Sequence, residues 1–520
     1  MGNKSLAKNI GSMSIAVTIS RVFGLIRDMM IAGYFGASYV ADAFQVGYQI
    51  PNLLRKLFGE GALSAAFIPI YNEIEVKQGR KEQIDFALNI FSLLTLLLTF
   101  LTAIGMIFAP LIVRLLAPGF EEASYALTVK LTRIMFPYLF LIGLSSTFIS
   151  ILNSHNYFFI PGLSSALLNV GMILFLGLFS LLYQSTIEEK AIALSYGMIF
   201  GGVLQTIINL PLLKRIGYNL RVNLNLKGRA LTELWRRFIP GVIGMAIREI
   251  NLAADLIIAS FLISGSIAAL QYGNRLMQLP LGIIGVSTSS AVLPLFSRYT
   301  ATKEWDKLSE SLRFSVVTTS YLMIPISFLI IGLGKDIIRL LFMRGAFDAY
   351  ALDMTYKALV CYSLGLVFYS LTRTIIPLFY ANKDTRTPVK ISAIIVATNI
   401  ILNIILMQFL QHSGLALATS ISSLLHYIIL IKVIRRKIPQ ISLSKIAHNI
   451  IKILIISSLL LTFILLTNQY FTAESILQLI AKLTTYFVFS ALFYYGGTYL
   501  LKVEYIAQFT DSIWKRLKIR

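Results

Sequence analysis

The run "ISRVFGLIRDMMIAGYFG", residues 19–36, is apolar but carries Arg21, Arg27 and Asp28. On a helix Arg21 and Asp28 share a face, with Gly24 between them and Arg27 one step round. The next run repeats the design. Asp42, Gln45, Gln49, Asn52 and Lys56 follow 3-4-3-4 spacing, Glu60 extends the row and Arg55 flanks it. Two later runs match these. Arg248, Asn251 and Asp255 share one face, and Gln271, Asn274, Arg275 and Gln278 form another row. Guanidinium forks suit phosphate and diphosphate oxygens. The cationic set is Arg21, Arg27, Arg55, Lys56, Arg248 and Arg275; the acids are Asp28, Asp42, Glu60, Glu249 and Asp255. The chemistry this points to is capture of an anionic, phosphorylated solute. The alternative is a set of ion pairs, such as Arg27–Asp28 with Asp42, that only lock helices together.

The elements that must hold these charges are membrane helices. Of 520 residues 57% are hydrophobic and 13% charged, against about 25% charged in a soluble domain. Apolar runs of about 20 residues, each long enough to cross the hydrocarbon as a helix, recur from end to end. They are continuous and Leu/Ile-rich, unlike the alternating strands of a barrel. The expected fold is an all-α polytopic membrane protein with fourteen spans: 10–36, 39–74, 84–113, 125–153, 158–183, 191–213, 238–263, 267–297, 312–333, 352–381, 388–411, 414–434, 446–468 and 476–500. Each central Arg or Asp costs about 2.5–3.5 kcal/mol on an insertion scale, and an apolar residue recovers only about 0.3–0.6. The first span therefore needs neighbours that hydrate or pair its charges, and a charge inside the membrane is by default functional.

The formal charge of +22 follows from topology. With both termini cytoplasmic, the basic residues concentrate on that side, seven of them in Lys214–Arg237. The loops between spans 1–2, 7–8, 11–12 and 13–14 have none, as the positive-inside rule requires. Anionic lipid headgroups are the partner of this charge, and nucleic acid is excluded. The basic tail 501–520, with Trp514, reads as an interfacial helix.

The chain is internally duplicated. "RVFGLIRD" (21–28) and "REINLAAD" (248–255) share their layout at an offset of 227. "ILNSHNYFFIP" (151–161) and "LFYANKDTRTP" (378–388) repeat that offset; "SAAFIPIY" (64–71) and "SSAVLPLF" (289–296) give 225. Each copy holds six spans, so the copies are parallel, related by an axis along the membrane normal, as in alternating-access transporters. The expected organisation is a six-helix bundle over 1–223, a second over 224–440, two added spans over 441–500 and the tail. The charged rows lie on spans 1, 2, 7 and 8, the natural walls of a central cavity.

Other signals are weaker. Asn399, Asn403, Thr419 and Asp255 offer hard oxygen ligands to a cation such as Na⁺, although Asn and Thr in apolar helices also bond across helices. Arg133 and Arg373 read as gate contacts or as snorkelling side chains. His155, His412, His426 and His448 form no metal motif, and Cys361 reads as a buried small hydrophobe. There is no G-x-x-x-x-G-K-[ST] loop and hence no expected ATPase. No catalytic residue is assigned; a wall-synthesis glycosyltransferase would need an acid near an external loop, such as Glu121 or Asp348.

The runs "SRVFGLIRDMMIAGYFG", "ADAFQVGYQIPNLLRKLFGEGALSAAFIPIY" and "LQYGNRLMQLPLGIIGVSTSSAVLP" resemble the MurJ (MviN) family of lipid II flippases, within the multidrug/oligosaccharidyl-lipid/polysaccharide exporter superfamily. The likeness covers essentially the whole chain, and "NLLRKLFGEGA" is its most specific part. It implies transfer of undecaprenyl-pyrophosphate-linked disaccharide-pentapeptide from the inner to the outer leaflet of the bacterial cytoplasmic membrane. Substrate contacts would fall on Arg21, Arg27, Arg55 and Arg275, with Asp28, Asp42, Glu60 and Lys56 beside them. The two added spans would hold the lipid tail. Some members bind Na⁺ at positions matching Asp255, Asn399, Asn403 and Thr419, but carry a carboxylate where this chain has Asn403. Coupling to Na⁺ or to the membrane potential and contact with cell-wall synthases are further implications. The rivals are an exporter of drugs, which would need an acid-dominated cavity, and one of another polyprenyl-pyrophosphate-linked oligosaccharide, which would need the same arginines.

Overall fold

The computed structural model describes residues 3–58, 62–219, 221–225, 228–439 and 443–505. Among them there are helices and turns but no strand. The helices are α1 (Asn3–Phe35), α2 (Tyr39–Phe58), α3 (Ala62–Gln78), α4 (Arg80–Ile107), α5 (Ala109–Leu116), α6 (Glu122–Met135), α7 (Tyr138–Ser154), α8 (Phe159–Leu182) and α9 (Ile187–Ile207). There follow α10 (Leu210–Arg215), α11 (Arg229–Ala259), α12 (Ser266–Pro280), α13 (Val286–Ala301), α14 (Trp305–Phe342), α15 (Ala349–Ala381), α16 (Arg386–Lys437), α17 (Leu443–Asn468) and α18 (Ile476–Leu500). A π turn, Leu281–Gly285, joins α12 to α13.

Ten helical stretches among the described residues are long and apolar enough to cross a bilayer; the charge-bearing α1, α2 and α11 are outside that set. Local sequence sets several ends. Thr186 and Glu189 form a capping box at α9, and Ser475 and Gln478 form one at α18. Asp348 caps α15 by accepting from the amide of Ala351, 2.8 Å. At 52 residues α16 would be about 78 Å long if straight. It is not straight. Gln411 has φ 50° and ψ −132°, and Asn399 Nδ2 donates to Ser422 Oγ at 3.3 Å, so the chain folds back on itself there.

The chain forms two compact units. Unit 1 holds residues 1–268 and 344–347; unit 2 holds 269–343 and 348–520. In unit 1, α8 packs on α1 and α9, α2 on α6, and α3 on α4, α7 and α11. The α8–α9 seam needs glycine: a Cβ on Gly171 would sit 2.5 Å from the Gly201 amide nitrogen, and one on Gly201 2.7 Å from the Leu168 Cα. In unit 2, α15 packs on α14, α16 and α13, and α14 also packs on α17 and α18. Lys482 on α18 pairs with Asp336 on α14 at 3.0 Å, both largely buried. α11 carries the "REINLAAD" motif that matches "RVFGLIRD" of α1, and it packs in unit 1, on α2, α3 and α5. The packing boundary thus falls after residue 268, and the boundary expected from the sequence, at 223/224, is a different division. The tail beyond Tyr505 lies outside the described residues.

Candidate functional site

Unit 1 carries Arg21, Arg27, Asp28, Asp42, Arg55, Lys56 and Asp255. Arg275, Asn399, Asn403 and Thr419 belong to unit 2. Glu60 lies outside the described residues, as does the side chain of Arg248.

On α1, Arg27 donates to Asp28 Oδ1 through Nε (3.0 Å) and Nη2 (2.7 Å). Its Nη1 donates to Asn169 Oδ1 on α8 at 2.9 Å, and its guanidinium lies 5.8 Å from the centre of the Tyr48 ring. Both members of the pair keep 14% side-chain exposure. Arg27 is therefore oriented from three sides, as a preorganised anion ligand must be. Asn169 is a site residue that the charge pattern missed; the only signal was an amide inside the apolar run "SSALLNVGM". Arg21 is exposed, with no hydrogen-bond or ion-pair partner recorded among the described residues.

α2 presents its row in sequence order. Arg55 Nε donates to Asn52 Oδ1 at 2.7 Å, and Asn52 Nδ2 lies 3.5 Å from Gln49 Oε1. Lys56 pairs with Glu249 on α11 at 3.1 Å. Asp42 has another role. Only 4% exposed, it accepts from the amides of Gly265 (2.6 Å) and Ala268 (2.8 Å), where α12 begins. A carboxylate is a natural acceptor for those orphan amides. Asp42 does not pair with Arg27, so the expected Arg27–Asp28–Asp42 lock reduces to Arg27–Asp28.

In unit 2 the amides of the candidate cation site bond together: Asn403 Nδ2 donates to Asn399 Oδ1 at 3.3 Å, and Asn399 donates to Ser422. Thr419 returns its hydroxyl to the Leu415 carbonyl at 2.8 Å. In unit 1, Asn251 Nδ2 donates to Asp255 Oδ2 at 3.2 Å. Among the described residues no group of His, Cys, Asp and Glu could hold a metal ion.

A polar hub joins the loops at one end of unit 1. His155 Nε2 lies 2.8 Å from both Tyr71 Oη and Arg80 Nη1. Tyr71 also bonds Tyr218, and Arg80 Nη2 donates to the Ile216 carbonyl at 2.7 Å. Burial, and then the cation of Arg80, push the His155 pKa below its ordinary value.

Known proteins match this chain in sequence and in fold. The family model described as lipid II flippase MurJ matches residues 31–485. A protein of Buchnera aphidicola subsp. Schizaphis graminum (strain Sg), named "Probable lipid II flippase MurJ", is 34% identical over 519 residues, 98% of this chain and 100% of its own. The "Lipid II flippase MurJ" of Burkholderia cenocepacia is 31% identical over 81% of this chain and 82% of its own. A solved structure of lipid II flippase MurJ in an inward closed conformation aligns with TM-score 0.77 and 29% identity, covering 98% of this chain and 99% of that one. An inward-facing multidrug resistance MATE family transporter of the MOP superfamily aligns with TM-score 0.70 over 83% of this chain and 98% of its own, and at 14% identity shares the fold alone. The family match takes in nearly the whole helical body, and the relatives align along their length, so this chain belongs to the MurJ family of lipid II flippases.

Proposed function

We propose that this chain moves lipid II, the lipid-linked peptidoglycan precursor, from the cytoplasmic to the outer leaflet of the bacterial inner membrane by alternating access. The observation that carries the proposal is the family match over residues 31–485, and the preorganised Arg27, just before that range, with its Asp28, Asn169 and Tyr48 partners, agrees with it. Arg21, Arg27, Arg55, Lys56 and Arg275 bind the diphosphate and headgroup, with Asp28 and Glu60 shaping the cation set. Diphosphate offsets repulsion among the cations in the state that binds it, which gives a ligand leverage over conformation. An inside-negative potential favours outward movement of negative charge by about 2.3 kcal/mol per charge per 100 mV.

The proposal includes fourteen crossings with both termini cytoplasmic. The ten apolar stretches support it once α16 is counted twice for its fold-back, and α1, α2 with α3, and α11 supply the remaining three. Two parallel copies are supported by matched turns. Asn156 (φ 65°) and Lys383 (φ 59°) stand 227 apart. Each is followed by an amide that bonds five residues back, Tyr157 to the Leu152 carbonyl and Asp384 to that of Phe379, both 2.9 Å. α17 and α18 carry the lipid tail. Coupling to Na⁺ through Asp255, Asn399, Asn403 and Thr419 is a companion proposal. The three unit 2 residues are neutral oxygen donors, suited to a weakly held hard cation. Cell-wall synthases are the proposed protein partners.

The test is leaflet-specific accessibility of labelled lipid II after depletion of the chain. Accumulation on the cytoplasmic side is expected. Arg27→Ala and Arg275→Ala should abolish outward flux at normal protein abundance, and normal flux in both variants would defeat the proposal.

A further inference from the structure

We propose that Glu249 is a displaceable counter-ion: it holds Lys56 while no substrate is bound, and the substrate's diphosphate takes its place, releasing α11 from α2. This rests on the reading above that the chain binds a lipid-linked diphosphate.

Two ion pairs of unit 1, Arg27–Asp28 and Lys56–Glu249, are built differently. Arg27 is held by a two-donor contact to Asp28, by Asn169 and by the Tyr48 ring, so a ligand meets it already fixed. Lys56 is held by a single 3.1 Å contact to Glu249 Oε2. Its side chain keeps 23% exposure while that of Glu249 keeps 9%, so the ammonium is open on one side and the carboxylate is the more enclosed partner. Lysine is a point charge on a flexible stem with three rotatable donors, and it can exchange one anion for another without a fixed fork geometry. Arg55, the neighbouring residue, is anchored to Asn52, so an anion reaching Arg55 arrives one residue from the Lys56 stem.

The pair joins residues 193 apart in sequence and couples α2 to α11. Each helix contains a proline, Pro51 in α2 and Pro240 in α11, and a proline inside a helix removes a backbone hydrogen bond and makes a bend cheap. When diphosphate takes Lys56, Glu249 becomes an unpaired, enclosed carboxylate beside a second anion. Both desolvation and repulsion then favour moving α11 away. The empty transporter is thus held by its own carboxylate until the correct charge arrives, and a neutral lipid cannot effect the release.

The test uses the full chain in lipid nanodiscs with undecaprenyl diphosphate as probe. A carbodiimide converts an ion-paired lysine and carboxylate into an amide, so the Lys56–Glu249 cross-link, read by peptide mass spectrometry, reports the pair directly. It should form in the ligand-free protein and fall several-fold at saturating undecaprenyl diphosphate, but not with undecaprenol. A yield indifferent to the diphosphate would overturn the proposal. Glu249→Gln removes the competing charge and should bind the probe at least about five-fold more tightly, the lower end of typical coupling between linked equilibria. Equal affinity in wild type and variant would also overturn it, and the wild-type cross-link decides the matter if the variant does not fold. A wild type that fails to bind the probe at all overturns the diphosphate reading itself, a result distinguishable from either of the others.

Discussion

The carboxylate of Asp42 accepts the backbone amide of Ala268 at 2.8 Å, with the amide of Gly265 on its other oxygen. An acid that looks from sequence like part of a ligand-facing row is spent on the first turn of α12. Gly265 has φ 87° and a Cβ there would sit 2.3 Å from the Ala37 carbonyl oxygen, so Asp42 meets a backbone that only glycine allows to come so close.

Asp42→Ala should leave two buried amide donors without an acceptor, at about 1–3 kcal/mol each. We expect a clearly lower thermal midpoint in detergent, with Asp42→Asn intermediate because its amide oxygen still accepts one bond. A midpoint unchanged by the alanine would show that the contact contributes nothing.

Asn169→Ala removes the α8 ligand of Arg27 but keeps the Arg27–Asp28 pair. One charge-assisted hydrogen bond is lost, worth about 1.5–3 kcal/mol. Outward lipid II flux should drop by roughly ten-fold or more while Arg27→Ala abolishes it, and a flux assay in proteoliposomes would rank the three proteins.

Gly201→Ala puts a methyl group into the α8–α9 seam, 2.7 Å from backbone atoms on the facing helix. Backbone cannot rotate aside as a side chain can. The helices must separate, at about 1–3 kcal/mol. Thermal unfolding should show the loss, whereas Gly496→Ala, with open space around its Cβ, should not.

His155 predicts an acid sensitivity. Its pKa is depressed in the folded protein, so between that value and the ordinary 6.5 the unfolded chain binds more protons. Stability from this group is complete above about 6.5 and is lost as pH falls below it. Protonation also removes the lone pair that faces Tyr71 and Arg80. The thermal midpoint should fall more steeply with acidification in wild type than in His155→Gln, and parallel curves would refute the assignment.

Periodicity and charge reached much of this. Of the 3-4-3-4 row on α2, Gln49 and Asn52 are joined, and the flanking Arg55 donates to Asn52. What the pattern missed lies off the local period. The partner of Arg27 is 142 residues away and that of Lys56 is 193 away, and neither spacing leaves a trace in a helical wheel. Asp42 was misleading because the groups that donate to it are main-chain amides, which no side-chain pattern reveals. α11 carries a motif laid out like that of α1, yet it packs on α2, α3 and α5, because contacts decide packing and likeness of sequence does not.

The reversal at Gln411 has a consequence for assembly. Leu406 and Gly414 stand so close that a Cβ on the glycine would lie 2.4 Å from the Leu406 carbonyl oxygen. A connection that short presents almost nothing for a protease or an antibody to seize. It also ties the two arms of α16 into one hairpin: Asn403 finds Asn399 within the first arm, but Asn399 donates to Ser422, an acceptor that only the second arm supplies.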